Sequence, residues 1–235
     1  MKPDNIAVII QSRTSSVRFP GKMMQQLAGI PLVEYVYRRC RSSSLEKVIL
    51  TTSHEPSDDL LYGYCRKKGI TVMRGSLDNV LERFIQAAGA ACAEYVVRVC
   101  GDTPFVDIAL FEELARLAVA ENLDYAACDR FSCAAGFYSE AVSVAALKKT
   151  LELTQEKEDL EHVTKFILNN KSRFNTRFIE TDLNPESIRD IRLTIDFPAD
   201  IERANSIVNE LKDPLNFSSK DIIAVISSQG VKQCL

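Results

Sequence analysis

Several features that would settle a function class at once are missing from this chain. Its seven cysteines (Cys40, Cys65, Cys92, Cys100, Cys128, Cys133 and Cys234) form no C-x-x-C pair and are odd in number. That leaves a disulfide framework or a zinc site without support and reads as a protein of the reducing cytoplasm. Only two histidines occur, His54 and His162, and neither belongs to an H-E-x-x-H helix. There is no G-x-S-x-G elbow for a serine hydrolase and no G-x-G-x-x-G for the usual dinucleotide site. No apolar run approaches the roughly 20 residues of a membrane helix. The first residues, Met1 to Asn5, are polar and lead straight into a strand pattern, so neither a membrane partner nor a signal peptide is expected. Positive charge is not in excess either. With 29 basic and 32 acidic residues the formal charge is −3, which argues against nucleic acid as a partner.

What is present is an ordinary globular composition, 46% hydrophobic and 26% charged over 235 residues, long enough to bury a core. No repeat, low-complexity tract or Pro/Gly-rich linker divides the chain, so residues 1–235 are expected to form one domain. Short apolar runs alternate with amphipathic segments. Ile6 to Ile10 (IAVII) has the continuous hydrophobicity of a strand covered on both faces. Lys47–Thr52, Thr71–Met73, Glu94–Val99, Leu123–Cys128, Val142–Val144, Phe174–Thr181 and Ile191–Ile195 read as further strands. Helices are expected from Pro31, over Asp58–Lys68, Asp78–Ala91, from Asp107 to about Asn122, and over Ala145–Leu153 and Asp159–Asn170. Two more run from Pro198 to about Leu211 and over Ser218–Ser228, the last with Ser218 and Asp221 at capping-box spacing. The pattern breaks between Asp129 and Tyr138, a segment expected to cover a site. The alternation predicts an α/β fold with a mostly parallel sheet, whose ligands bind beyond the carboxyl ends of the strands.

Three polar loops leave those ends. The first, Q-S-R-T-S-S-V-R-F-P-G-K, gathers Arg13, Arg18 and Lys22 with the hydroxyls of Thr14, Ser15 and Ser16. Guanidinium groups match phosphate oxygens bidentately and lysine adds a point charge, so the cluster points to a phosphate site. It is not a Walker A loop, because Met23 follows Gly21-Lys22 and the leading glycine is missing. The second loop, G-D-T-P, puts Asp102 at a strand end. Read alone it is either a ligand for a divalent cation or an ordinary turn residue. The third, T-I-D-F-P-A-D, offers Asp196 as a metal ligand or as a helix N-cap, and Asp200 as a complement to the helix dipole.

Together these segments resemble the cytidylyltransferase family that makes CMP-activated acidic sugars, in particular its spore-coat-polysaccharide (SpsF-type) branch. The resemblance runs from Ile9 to about Ala204. It is carried by IIQSRTSSVRFPGKMMQQLAGIPLVEYV, TTSHEPSDDL, RGSLDNVLERF, VVRVCGDTPFVD, EDLEHVTKFI and RLTIDFPADIE. It implies a Rossmann-like three-layer α/β/α sandwich and transfer of CMP from CTP to a small sugar acid, with release of pyrophosphate and use of Mg²⁺. By the same resemblance Arg13, Ser15, Ser16, Arg18 and Lys22 hold the nucleotide, with Arg13, Lys22 and Asp102 central to catalysis. Asp102 and Asp196 ligate the metal. Arg74, Ser76 and Asp78 lie near the nucleotide with Arg83 a weaker neighbour, and Glu140 and His162 line the sugar pocket. Relatives of this kind pair, which implies a homodimer. Three positions depart from the family's pattern: Ser15 stands where glycine is usual, Val17 replaces a small hydroxyl residue, and Tyr138 replaces an aspartate. A sugar-nucleotide-dependent glycosyltransferase and a non-catalytic binding homologue are the alternatives on the same fold.

Overall fold

The computed structural model describes residues 5–229. Seven strands form the main sheet: β1 (Ile6–Gln11), β4 (Lys47–Ser53), β5 (Val72–Gly75), β6 (Tyr95–Cys100), β7 (Tyr125–Cys128), β8 (Glu140–Ser143) and β9 (Thr176–Ile179). Two short strands, β2 (Gln26–Leu27) and β3 (Ile30–Pro31), make a separate hairpin. The helices are α1 (Leu32–Arg41), α2 (Asp59–Lys67), α3 (Val80–Ala90), α4 (Ile108–Ala120), α5 (Val144–Leu153), α6 (Lys157–Glu161), α7 (Lys165–Asn169), α8 (Pro198–Asn209) and α9 (Ser219–Gln229). Sheet order is β5-β4-β1-β6-β8-β7-β9. Every pairing in it is parallel except those of β8, which runs antiparallel to both β6 and β7.

The uniform hydrophobicity of β1 has a simple cause. Ile6, Val8 and Ile10 enter a core that also holds Val33, Val36, Leu61, Phe111 and Ile207. Ala7 and Ile9 enter a second core with Leu81, Phe84, Leu147 and Ile167. Helices α1, α2, α4, α8 and α9 therefore cover one face and α3, α5 and α7 the other, which makes the three-layer sandwich. Side-chain caps fix the starts of three helices, those of α3 and α4 on the side of the parallel strands' carboxyl ends and that of α5 at the opposite edge. Asn79 accepts from Glu82 N at 3.0 Å, Asp107 from Leu110 N at 2.7 Å and Ser143 from Ala146 N at 3.0 Å. The expected capping box of α9 is present, Ser218 N and Oγ donating to Asp221.

Two expectations fail. Ile191–Ile195 is not a strand. It runs beside the second polar loop, with Ile195 N donating to the Asp102 carbonyl at 2.9 Å and with Leu193 and Ile195 buried. Its hydrophobicity reflects burial without ladder pairing. The single helix expected over Asp159–Asn170 is broken between α6 and α7, where Val163 sits at φ 27°. His162 caps the end of α6 instead of lying mid-helix.

Candidate active site

The ends of β1 and β6 open into a cleft of about 290 Å³ lined by Ser12, Arg13, Ser15, Ser16, Arg18, Lys22, Arg83, Asp102 and His162 among others. The first loop is tied down from below. Asp58, fully buried just before α2, accepts from Thr14 N and Thr14 Oγ1 at 2.7 Å each, from Ser53 N at 3.0 Å and from Ser53 Oγ at 2.5 Å. Burial alone would raise its carboxyl, but these four donors together outweigh that and hold it below the usual aspartate value. The left-handed residue of this loop is Gly21, at φ 70°, while Ser15 has negative φ. Serine in place of the family's glycine therefore costs no backbone strain here. Val17 replaces the hydroxyl residue at a point 94% exposed.

Each cation of the loop meets a carboxylate from another element. Arg13 pairs with Glu161 of α6 at 2.9 Å, Arg18 with Asp196 at 2.5 Å and Lys22 with Asp102 at 2.6 Å. Lys22, only 7% exposed, also lies 3.7 Å from Asp196 Oδ1 and donates to the Ile195 carbonyl at 2.7 Å. One ammonium thus joins the second and third polar loops. The helix-capping alternative for Asp196 does not hold. Phe197 is the N-cap residue of α8, and the buried Asp200 carboxylate accepts from Asp196 N at 2.9 Å and Phe197 N at 2.8 Å. That frees the Asp196 side chain for the cleft, with Thr194 Oγ1 donating to it at 3.0 Å.

Asp102 and Asp196 share a second cavity of about 210 Å³ with Arg98, Tyr138 and Glu140. Arg98, Tyr138 and Glu140 in turn line a third, of about 760 Å³, walled by Arg130, Phe131, Lys165, Lys171 and Phe178. His162 lines the first and the third. The three adjoin through these shared residues and form one trough, and Asp129, Arg130, Phe131 and Tyr138 of the irregular segment line its third part. Glu140 is 3% exposed and closes a network: Arg98 Nη1 donates to it at 2.6 Å, Thr164 Oγ1 at 3.0 Å and Tyr125 Oη at 2.5 Å. Tyr138 joins through a 3.0 Å contact between its hydroxyl and that of Tyr125. Burial pulls the Arg98 guanidinium down, but the Glu140 carboxylate bonded to it helps to turn the net shift upward.

Arg13, Ser15, Ser16, Arg18, Lys22, Asp102, Asp196, Glu140 and His162 all line this trough. The Arg74–Asp78 segment lies to one side. Arg74 spends its donors on the Ser53 and Glu55 carbonyls and on Asp59, Ser76 Oγ accepts from Asn79 N at 3.0 Å, and Asp78 is exposed. Asp58, Arg98, Tyr125, Glu161 and Thr164 escape sequence reasoning. Only Arg98 carried a signal, a charge inside the apolar run Y-V-V-R-V.

Residues 7–222 match the model of the cytidylyltransferase family. The chain belongs to that family. It is 30% identical over 233 residues to the spore coat polysaccharide biosynthesis protein SpsF of Bacillus subtilis, covering 95% of each chain. A cytidylyltransferase from Leptospira borgpetersenii superposes with a TM-score of 0.88 at 24% identity, covering 96% of this chain and 94% of the other. A CMP:2-keto-3-deoxy-manno-octonic acid synthetase complexed with CTP superposes with a TM-score of 0.64 at 16% identity, covering 87% and 98%. The sandwich is that of nucleotidyltransferases, and the protein is a nucleotidyltransferase by family. Among the described residues no helix is long and apolar enough to cross a membrane.

Proposed function

We propose that the protein transfers CMP from CTP to an acidic sugar and releases pyrophosphate, as a step in making a surface or coat polysaccharide. The observation that carries this reading is the bridge of Lys22 between Asp102 and Asp196. It puts a cation where two carboxylates converge, at the junction of a small basic cleft and a larger acceptor cavity.

In this reading the loop cations are paired with the cleft's own carboxylates before a nucleotide enters. Arg13 and Arg18 keep much of their side chains in solvent, and ion pairs with an exposed partner contribute about 0–1 kcal/mol. A triphosphate, with several charges and bidentate geometry, displaces such partners readily. As Arg13, Arg18 and Lys22 turn to the phosphates, Asp102 and Asp196 become free to hold a divalent cation. Two carboxylates suit Mg²⁺, which takes its remaining ligands from phosphate and water. When bound, the ion neutralises charge on the phosphates.

The protein's own part is then positioning and charge neutralisation. A sugar hydroxyl attacks the α-phosphorus and the pyrophosphate oxygens gain negative charge, which Arg13, Arg18 and Lys22 offset. No protein nucleophile is required. The large cavity fits the acceptor. Arg130, Lys165 and Lys171 favour an anion, and Glu140 and His162 are placed to meet sugar hydroxyls. A homodimer and a cytoplasmic setting go with this reading.

The test is pyrophosphate release from CTP and Mg²⁺ across a panel of sugar acids. Release with at least one acceptor is expected. No release across a broad panel, with no CTP binding by calorimetry, would remove the reading. A thermal shift from nucleotide sugars but not from CTP would move it to a glycosyltransferase.

A further inference from the structure

Arg83 differs from the other cations of the cleft. Arg13, Arg18 and Lys22 each have a carboxylate partner, but Arg83, 4% exposed, has none within bonding distance among the described residues. Its Nε and Nη1 are enclosed and make no hydrogen bond. Asp58 is the carboxylate whose field it feels, yet both Asp58 oxygens are taken by Thr14 and Ser53. Ser12 Oγ, on the same cleft, is a second buried group without a partner. Unpartnered buried donors, charged ones above all, are costly, and native proteins keep them where a ligand completes the bonding.

The backbone is cleared for this side chain. A Cβ on Gly75 would lie 2.4 Å from Arg83 Cγ, so only glycine at the end of β5 lets the arginine stem pass. From α3 the side chain leans back toward the helix N-terminus, and so toward the carboxyl ends of β1 and β4. Asp102 leaves β6, on the opposite flank of β1 from β4 and β5. If phosphates occupy the Lys22 end of this cleft, the nucleoside would extend toward Arg83, which lines the same cleft from α3.

On the reading that the cleft takes CTP, we propose that Arg83 reads the base, donating from its guanidinium to O2 and N3 of cytosine. Those two atoms are adjacent acceptors. Uracil carries a hydrogen on N3, which would set donor against donor, so the contact selects CTP over UTP. Ser12 Oγ adds a donor on the same floor.

The experiment is calorimetric titration with CTP, UTP and inorganic tripolyphosphate in the presence of Mg²⁺. The wild-type protein is expected to prefer CTP over UTP by about ten- to a hundredfold. Arg83→Met should lose that preference, CTP falling to the level of UTP while tripolyphosphate binds as before. The unchanged tripolyphosphate affinity also reports that the variant is folded. Gly75→Ala keeps the guanidinium but displaces its stem, and should lose the same preference; it decides the matter if Arg83→Met does not fold. A preference retained in the folded variants overturns the inference, and so does parallel weakening of CTP and tripolyphosphate, which would put the guanidinium on a phosphate. Wild-type protein that binds tripolyphosphate but not CTP is a different result. It removes the CTP reading, and the base contact with it.

Discussion

Lys22 Nζ lies 2.6 Å from Asp102 Oδ2 and 3.7 Å from Asp196 Oδ1, so a single ammonium holds together two loops that are far apart in sequence. On the proposed function it stands where a metal-bound triphosphate would sit. Asp102→Asn and Asp196→Asn should each keep the fold and lower kcat/KM for CTP about 10²–10³-fold, a loss of roughly 3–4 kcal/mol of transition-state stabilisation. Chelation should stop turnover but leave the Tm of the nucleotide-free protein within about 1 °C, because Lys22 and Arg18 already neutralise the two carboxylates. Wild-type rates in either variant would reject the metal assignment.

The network around Glu140 separates stability from acceptor recognition. Glu140→Ala leaves the Arg98 guanidinium mostly buried without its partner, a loss of about 3–5 kcal/mol measurable by urea denaturation. Tyr138→Phe removes one hydroxyl contact to Tyr125, about 1 kcal/mol at most, and keeps the ring. Its expected signature is kinetic: a higher KM for the sugar acid with the KM for CTP unchanged. A rise in both would place Tyr138 outside the acceptor pocket.

Asp200 shows what patterning conceals. From sequence it is one more acid in a first helical turn, and its replacement looks harmless. In the fold it is buried, accepts from two backbone N–H groups and pairs with Arg203 at 2.8 Å. Asp200→Asn should cost about 2–3 kcal/mol and also lower turnover, because the two backbone bonds orient Asp196. Stability loss with full activity would show that Asp196 does not depend on this anchor.

The same contrast marks the limits of reading this chain from its residues. β1 and the loop after it were legible because a doubly covered strand needs an apolar run and a phosphate site needs clustered cations. Ile191–Ile195 was misread because apolar residues report burial, and burial does not require a ladder partner. The break at Val163 has no proline or glycine between Asp159 and Asn170 to announce it. The pairing of each loop cation with a carboxylate 80 to 178 residues away had no local signal at all.

Acid sensitivity should trace to Asp58. Burial would raise its carboxyl, but bonds from Ser53 and Thr14 outweigh that and leave it depressed. A folded-state value below the unfolded one contributes stability that is present above the unfolded value, about 3.9, and is lost as pH falls through the folded one. Stability should therefore decline below about pH 4. In Asp58→Asn an amide faces at least one donor that the carboxylate accepted, so neutral-pH stability should fall by about 2–4 kcal/mol. The slope of its stability against pH between about 4 and 2 should be shallower than in the wild type. Asp200, depressed against its own burial by Arg203 and the backbone of Asp196 and Phe197, supplies part of the slope that remains, and Glu34, Glu158 and Asp221 are depressed too. Because Asp58 also holds Thr14, the variant should bind CTP more weakly at neutral pH. An unchanged acid limb would assign the sensitivity to Asp200 or another carboxylate, and unchanged CTP affinity would mean that the first loop keeps its shape without this anchor.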